Sequence, residues 1–284
     1  MLKAEHEPKY DLGYEKQYAS ATSSDEIDFY TMIRMLEDSN GNVQFIGDSS
    51  NASFVQLLRM IVETVYGPCD FALDPNRHKF NRRDTWNFSI SKSTDVLPDQ
   101  ETAIILTKAF FTNTYGVLEL FDEKTFLEEL NIYYQEYSTK NSSWTAQFYM
   151  ILAIGLCLAT PAAGSREAAV VDHLRLNFPR RPDEYFTAAK QIHNPFVDTD
   201  YTSFASVQTM TLLALYMLFQ AERNLAYVYT GMAVRLAYSQ GLHRVEVIDA
   251  LSENERLARQ KLWRSLFVLD CYQSVSLGRP LAIG

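Results

Sequence analysis

SENERLARQKLWRSLFVLDCYQSVSLGRP, residues 252–280, decides the fold class. Its apolar residues recur at three- and four-residue spacing, the pattern of a helix with one buried face. Ser252 and Glu255 stand at the spacing of a capping box, in which each residue's side chain satisfies the other's backbone amide. Gly278 suits a left-handed helix stop, and Pro280 blocks continuation. At about 100° per residue, Leu262, Trp263, Leu266, Phe267 and Leu277 fall on one arc with Asp270 near its centre.

The stretch before it, ERNLAYVYTGMAVRLAYSQGLHR (222–244), predicts a second amphipathic helix. Its spacing sets Leu225, Val228, Tyr229, Met232 and Leu236 on one face with Arg235 at the margin. Ala226, Ala233 and Ala237 form a row of small residues that lets a neighbouring helix approach closely. Gly241 suits a left-handed stop and Leu242 a contact back onto the last turn. Two such helices joined by a short loop are expected to pack as an antiparallel pair.

A carboxylate in the apolar seam has three readings. Catalysis needs a partnering acid, base or nucleophile, and the segment offers only Cys271 and Ser274. Ligand binding needs a pocket between the helices. The remaining reading is a structural tie, because an isolated buried charge is strongly disfavoured. Arg235 is the expected partner and Arg279 the alternative, since a guanidinium can grip a carboxylate with two hydrogen bonds.

Further helical patterns cover about 53–66, 98–114, 122–137, 142–159, 165–176, 181–192 and 203–219. No stretch shows sustained two-residue alternation with hairpin turns, so the expected fold class is all-α, a multi-helix bundle or array with antiparallel helix pairs. Residues 1–42 read as an acidic, mostly irregular segment, with nine acids against four bases in the first forty positions. A short extended stretch ending at Gly47 is expected next. Residues 69–95, polar and without a clear period, read as a variable loop.

The totals exclude several classes of function. A chain of 284 residues with 47% hydrophobic content can bury a large core. A net charge of −9 argues against a phosphate-binding surface spread over the chain, so any DNA contact is expected outside it. The three cysteines, Cys69, Cys157 and Cys271, are too few and too scattered for a disulfide framework or a metal cluster. The five histidines lack ligand spacing, and the common phosphate-binding and hydrolase motifs are absent. No catalytic, cofactor-binding or metal-binding residues are therefore assigned, and the chain is read as a non-enzyme. FYMILAIGLCLA (148–159) is too short to span a bilayer and reads as a buried core helix. The N-terminus has neither the apolar core of a signal peptide nor the composition of a transit peptide.

These residues, taken in order, resemble the middle homology region of the fungal zinc-cluster transcription factors. The matching positions are Val207-Gln208, then Gly231, Ala233, Arg235 and Ala237, then Gly241, Leu242, His243 and Arg244. They continue through Glu253, Glu255, Arg256, Leu262-Trp263 and Leu269-Asp270 to Gly278, Arg279 and Pro280. FIGDSSNASF (45–54), LFDEKTFLEEL (120–130) and RPDEYFTAAKQI (181–192) resemble earlier family segments, so the likeness runs from about residue 43 to the end. Two departures stand out: Asp122-Glu123-Lys124 replaces the family's aromatic-His-Pro, and Cys271 replaces a frequent Arg.

The resemblance implies a nuclear regulatory domain, residues 43–284, that is a piece of a larger transcription regulator and truncated at its C-terminus. DNA would be contacted only through a zinc cluster outside this chain, and zinc would belong to that region. The implied partners are the transcription machinery or co-regulators and a small-molecule effector, with no membrane. A rival reading is a helical ligand-binding or scaffold protein that has lost DNA binding.

Overall fold

The structure, a computed structural model, describes residues 35–38, 43–73, 79–80, 96–136, 142–192, 203–244 and 251–284. The chain divides into two compact units, Met1–Asn81 and Arg82–Gly284. The division falls inside the loop expected over 69–95 and not at 42–43.

The first unit holds strands β1 (Met35–Asp38), β2 (Val43–Phe45) and β3 (Lys79–Phe80) and helices α1 (Asn51–Tyr66) and α2 (Asp70–Leu73). The strands form one small sheet in the order β2-β1-β3, with β1 antiparallel to β2 and parallel to β3. This sheet is the departure from an all-helical chain, and it draws part of the expected irregular segment into regular structure. The extended stretch expected before Gly47 is β2. The Ser50 side chain caps α1 by accepting from the Ser53 amide at 3.1 Å, and Gly67, at φ 78°, ends it.

The second unit is wholly helical among its described residues. It comprises α3 (Gln100–Thr114), α4 (Glu123–Glu136), α5 (Ser142–Leu158), α6 (Arg166–Asn177), α7 (Arg181–Ile192), α8 (Phe204–Phe219), α9 (Arg223–Ser239) and α10 (Glu253–Leu277). Each helix begins and ends within a few residues of its expected place, because the caps are written locally. Asp99, Ser165 and Ser203 each accept a backbone amide from three residues on, and Asp122 does the same for Thr125 at the start of α4.

Two of those caps titrate. Burial disfavours the charged Asp99 carboxylate, but the hydrogen bonds from Thr102 outweigh it and hold the group below its ordinary value. The Thr125 amide and hydroxyl hold Asp122 down in the same way. A depressed pKa contributes stability that is complete above the ordinary carboxylate range, about 4, and disappears as pH falls through the lowered values. The melting temperature should therefore fall on acidification below about pH 4. In the Asp99→Asn, Asp122→Asn double variant that fall should be shallower, because Asn caps without titrating.

Helices α5 and α8 form the middle of the unit. Every residue of α5 from Ala146 to Leu156 and of α8 from Ser206 to Met217 is buried. A helix apolar on all sides must be surrounded, so both are enclosed by neighbours. Helices α3, α7 and α8 pack on α5; α9 packs chiefly on α8, and α10 on α9. Buried amide side chains tie these layers. Gln147 Nε2 donates to the Ala205 carbonyl at 2.9 Å, and Gln208 Nε2 donates to the Leu120 carbonyl at 2.6 Å. Gln273 Nε2 donates to Thr230 Oγ1 at 2.9 Å. The Tyr216 hydroxyl donates to Asp183 Oδ1 at 2.6 Å while its ring stacks on Phe186, so α8 fixes α7 by one polar and one apolar contact.

The connection from α3 to α4 is clamped by α10. Leu118 and Leu120 are buried, the Glu119 amide donates to Ser265 Oγ at 2.8 Å, and the Glu119 carboxylate meets Arg264 at 3.0 Å.

Candidate regulatory site

The hairpin of α9 and α10 forms as expected, but its buried faces differ from the sequence reading. On α9 the small residues Ala226, Ala233 and Ala237 are buried, with Tyr229, Thr230 and Val234, whereas Val228 is exposed. The preferred neighbour is α8, which approaches closely where side chains are short. On α10 the seam runs through Leu262, Leu266, Leu269, Asp270, Gln273 and Leu277, and Phe267, expected inside, is 47% exposed.

Both helix stops are left-handed glycines, Gly241 at φ 68° and Gly278 at φ 63°. In each case the next residue's amide reaches back over the last turn, Leu242 to the Ala237 carbonyl at 3.0 Å and Arg279 to the Ser274 carbonyl at 2.9 Å. Leu242 is buried, as its position after the stop required. At the head of α10, the Glu255 carboxylate accepts from the Ser252 amide at 3.3 Å, the capping-box contact read from SENE, and also from the Ser252 hydroxyl at 2.6 Å.

Asp270 is fully buried and has no guanidinium partner among the described residues. Its Oδ2 accepts two backbone amides, Ala282 at 2.8 Å and Ile283 at 2.9 Å. The expected ion pair is thus corrected. Arg235 is exposed on α9. Arg279 turns the other way: it donates to Asn224 Oδ1 and lies over the Tyr227 ring, 5.2 Å from its centroid. Burial pulls its guanidinium below its ordinary pKa, with the Tyr227 hydroxyl opposing that shift.

Residues 278–284 therefore form a strap that folds back over the hairpin. The Pro280 carbonyl accepts from Tyr227 Oη at 2.8 Å and from Ser274 Oγ at 3.2 Å. The strap joins α9, through Asn224 and Tyr227, to α10, through Asp270 and Ser274. A residue-by-residue reading does not find this site, because its acceptors and donors are partly backbone groups, which every residue carries.

The other motif positions divide by role. His243 is exposed and packs edge-on to Tyr238 at 4.8 Å, and Tyr238 packs edge-on to Trp263 at 5.4 Å, so these rings join the end of α9 to α10. Arg244 is exposed. Gly231 is different, since a Cβ there would meet nothing within 4 Å. Gly231→Ala should raise stability by about 0.5–1 kcal/mol in a denaturant titration, the ordinary gain from removing a mid-helix glycine.

A cleft lies elsewhere in the same unit, between the N-terminus of α3, one side of α6 and the start of α7. Its volume is about 470 Å³, within the range of about 300–1,000 Å³ typical of small-molecule sites. Leu97, Val170 and Phe178 supply apolar wall, and Asp99, Arg166, His173, Arg181 and Tyr185 supply the polar groups. Arg181, the first residue of the RPDEYFTAAKQI helix, stacks over Phe178 at 4.4 Å and pairs with Glu184 at 3.2 Å. Burial pushes the Tyr185 hydroxyl well above its ordinary pKa, although Arg181 opposes the shift, so it stays a neutral donor.

Comparison with known proteins places the chain in a family. The family described as the fungal specific transcription factor domain matches residues 107–283, from the second half of α3 into the strap. The chain belongs to that family. Three relatives from two yeasts illustrate the likeness. An uncharacterized transcriptional regulatory protein of Schizosaccharomyces pombe is 24% identical over 278 residues, covering 93% of this chain and 33% of that protein. A putative transcriptional regulatory protein of the same yeast is 27% identical over 187 residues, 66% of this chain and 21% of its own length. The activator of stress genes 1 of Saccharomyces cerevisiae is 26% identical over 194 residues, 66% of this chain and 19% of its own length.

The chain thus spans a third or less of these relatives. No solved structure matches it. The family and the relatives are transcriptional regulators, not enzymes, and this chain corresponds to a regulatory domain. No helix among the described residues is long and apolar enough to cross a membrane.

Proposed function

We propose that this domain adjusts the output of a nuclear, DNA-binding transcription regulator in response to a small effector held between α3, α6 and α7. DNA contact belongs to a zinc-cluster region outside this chain, and zinc to that region. The family match supports the regulatory role, and the cavity carries the effector reading. A partly apolar space of about 470 Å³ beside paired charges is the right size and chemistry for a metabolite. The net charge of −9 is consistent with leaving DNA to another region.

Occupancy of a folded-state cavity stabilises by mass action, by about 2.7 kcal/mol at a hundredfold excess over Kd. A metabolite panel screened by thermal denaturation should therefore contain compounds that raise the melting temperature. The same compounds should change reporter output when the chain is fused to a heterologous DNA-binding domain. If no compound shifts melting and cavity substitutions leave the reporter unchanged, the effector role is wrong.

A further inference from the structure

The first unit is built inside out. Among its described residues the only buried apolar side chain is Ala72, whereas Phe45, Phe54, Leu57, Ile61, Val65 and Phe71 are exposed. Helix α1 meets the rest of its unit through its polar side: Gln56 is buried, and Arg59 lies over the Phe71 ring of α2 at 5.3 Å from its centroid. On the opposite side of the helix Phe54, Leu58, Ile61 and Val65 follow one another at spacings of four, three and four residues, each between 38% and 65% exposed. That alternation is the seam of a two-stranded coiled coil, the face one helix presents to another. A monomer rarely leaves such a row in water.

The row matches itself. Its four positions are symmetric about a point midway between Leu58 and Ile61. A second copy of α1 running antiparallel therefore sets Phe54 against Val65 and Leu58 against Ile61, with an apolar side chain on both sides of every layer. The only charged residues of α1 are Arg59 and Glu63, and both lie off the seam, so an acidic or basic partner gains no complementary charge there. The antiparallel sense also sets the partial positive charge of each helix N-terminus beside the C-terminus of the other. The seven exposed apolar side chains of α1 offer on the order of 600 Å² per copy, about 1,200 Å² for the pair, which reaches the lower end of specific interfaces.

We propose that α1 is a self-association surface, through which two copies of this chain pair by their α1 helices in antiparallel register. The contact is isologous, the same patch on both copies, so it closes at two and does not propagate. Its small area makes it reversible, with a Kd on the order of 10 µM.

Sedimentation equilibrium of the 284-residue chain, from about 1 to about 200 µM, tests this. A reversible monomer–dimer equilibrium is expected. Leu58→Glu should weaken it about a hundredfold, and so should Ile61→Lys, because each places a charge in the apolar seam. The milder Leu58→Ser should weaken it about tenfold. In the antiparallel register position 58 of one copy meets position 61 of the other. An equimolar mixture of the Leu58→Glu and Ile61→Lys chains should therefore pair again, to within about tenfold of the parent, which also shows that both variants fold.

A parent chain that stays monomeric at about 200 µM overturns the proposal. In that case slow hydrogen exchange along α1 would show the seam covered within a single chain. Dimers indifferent to Leu58→Glu and Leu58→Ser would use another surface and overturn it equally. A mixture of the two charged variants that does not pair again would overturn the antiparallel register and with it the proposal.

Discussion

Gly155→Ala is expected to destabilise the protein by about 3 kcal/mol or more, lowering the melting temperature by about 6–12 °C. Gly155 lies in the middle of α5, where the backbone of α3 crosses it. A Cβ built there would stand 2.1 Å from the Leu106 carbonyl oxygen and 2.9 Å from the Leu106 carbonyl carbon. Those atoms are backbone, so no rotamer change relieves the overlap. The two helices must separate, and Leu106, Ala103 and Ile151, all fully buried, would lose contacts across the interface. Gly231→Ala is the matched control: the same added methyl group in a helix, with the opposite sign of effect. A denaturant titration of the two variants side by side decides the point, and a Gly155→Ala midpoint equal to the parent's would show that α3 and α5 do not meet there.

Asp270→Ala is expected to cost about 3 kcal/mol. The carboxylate supplies both acceptor contacts that hold the Ala282 and Ile283 amides, and hydrogen bonds to a charged group are the stronger kind. Once it is removed, the strap should peel away and expose those amides. Hydrogen exchange at Ala282 and Ile283 should therefore accelerate strongly while the amides of α5 keep their protection. Arg235→Ala should change stability by no more than about 0.5 kcal/mol, as for other exposed positions. Were Arg235→Ala as damaging as Asp270→Ala, the ion-pair reading would return. Were exchange at Ala282 and Ile283 unaltered in Asp270→Ala, the strap would have some other anchor.

The two results separate what is local from what is not. The helices were legible because their signals are short: Asp99, Ser165, Ser203 and Ser252 at the starts, and Gly241 and Gly278 at the stops, each acting on a backbone group within five residues. The all-round apolarity of FYMILAIGLCLA likewise announced a central helix, and the helix is central. The family resemblance was legible because the glycine stops, the small residues of α9 and the helix motifs between Val207 and Pro280 stand in order along the chain.

The sheet of the first unit was not legible. Its strands are two to four residues long, too short for alternation to show, and they pair through backbone groups.

Burial on α9 was legible in part. The row of Ala226, Ala233 and Ala237 was read as the place of close approach, and α8 packs there, but the large-residue face expected inside leaves Val228 exposed. Asp270 shows the same limit for a polar group. The sequence placed a carboxylate in the seam and required that it be satisfied, but it offered guanidinium groups as the visible candidates. The tertiary fold instead brought back two amides of the strap, donors with no side-chain signature. Arg181 came to line the cleft only when α3, α6 and α7 converged around it. By itself the sequence determined the helices, their ends, the fold class of the second unit and the family, because each is written in spacing along one segment. The tertiary structure alone decided which faces are buried, what holds Asp270 and where the cavity lies, because those depend on which distant segment arrives and how closely its backbone can approach.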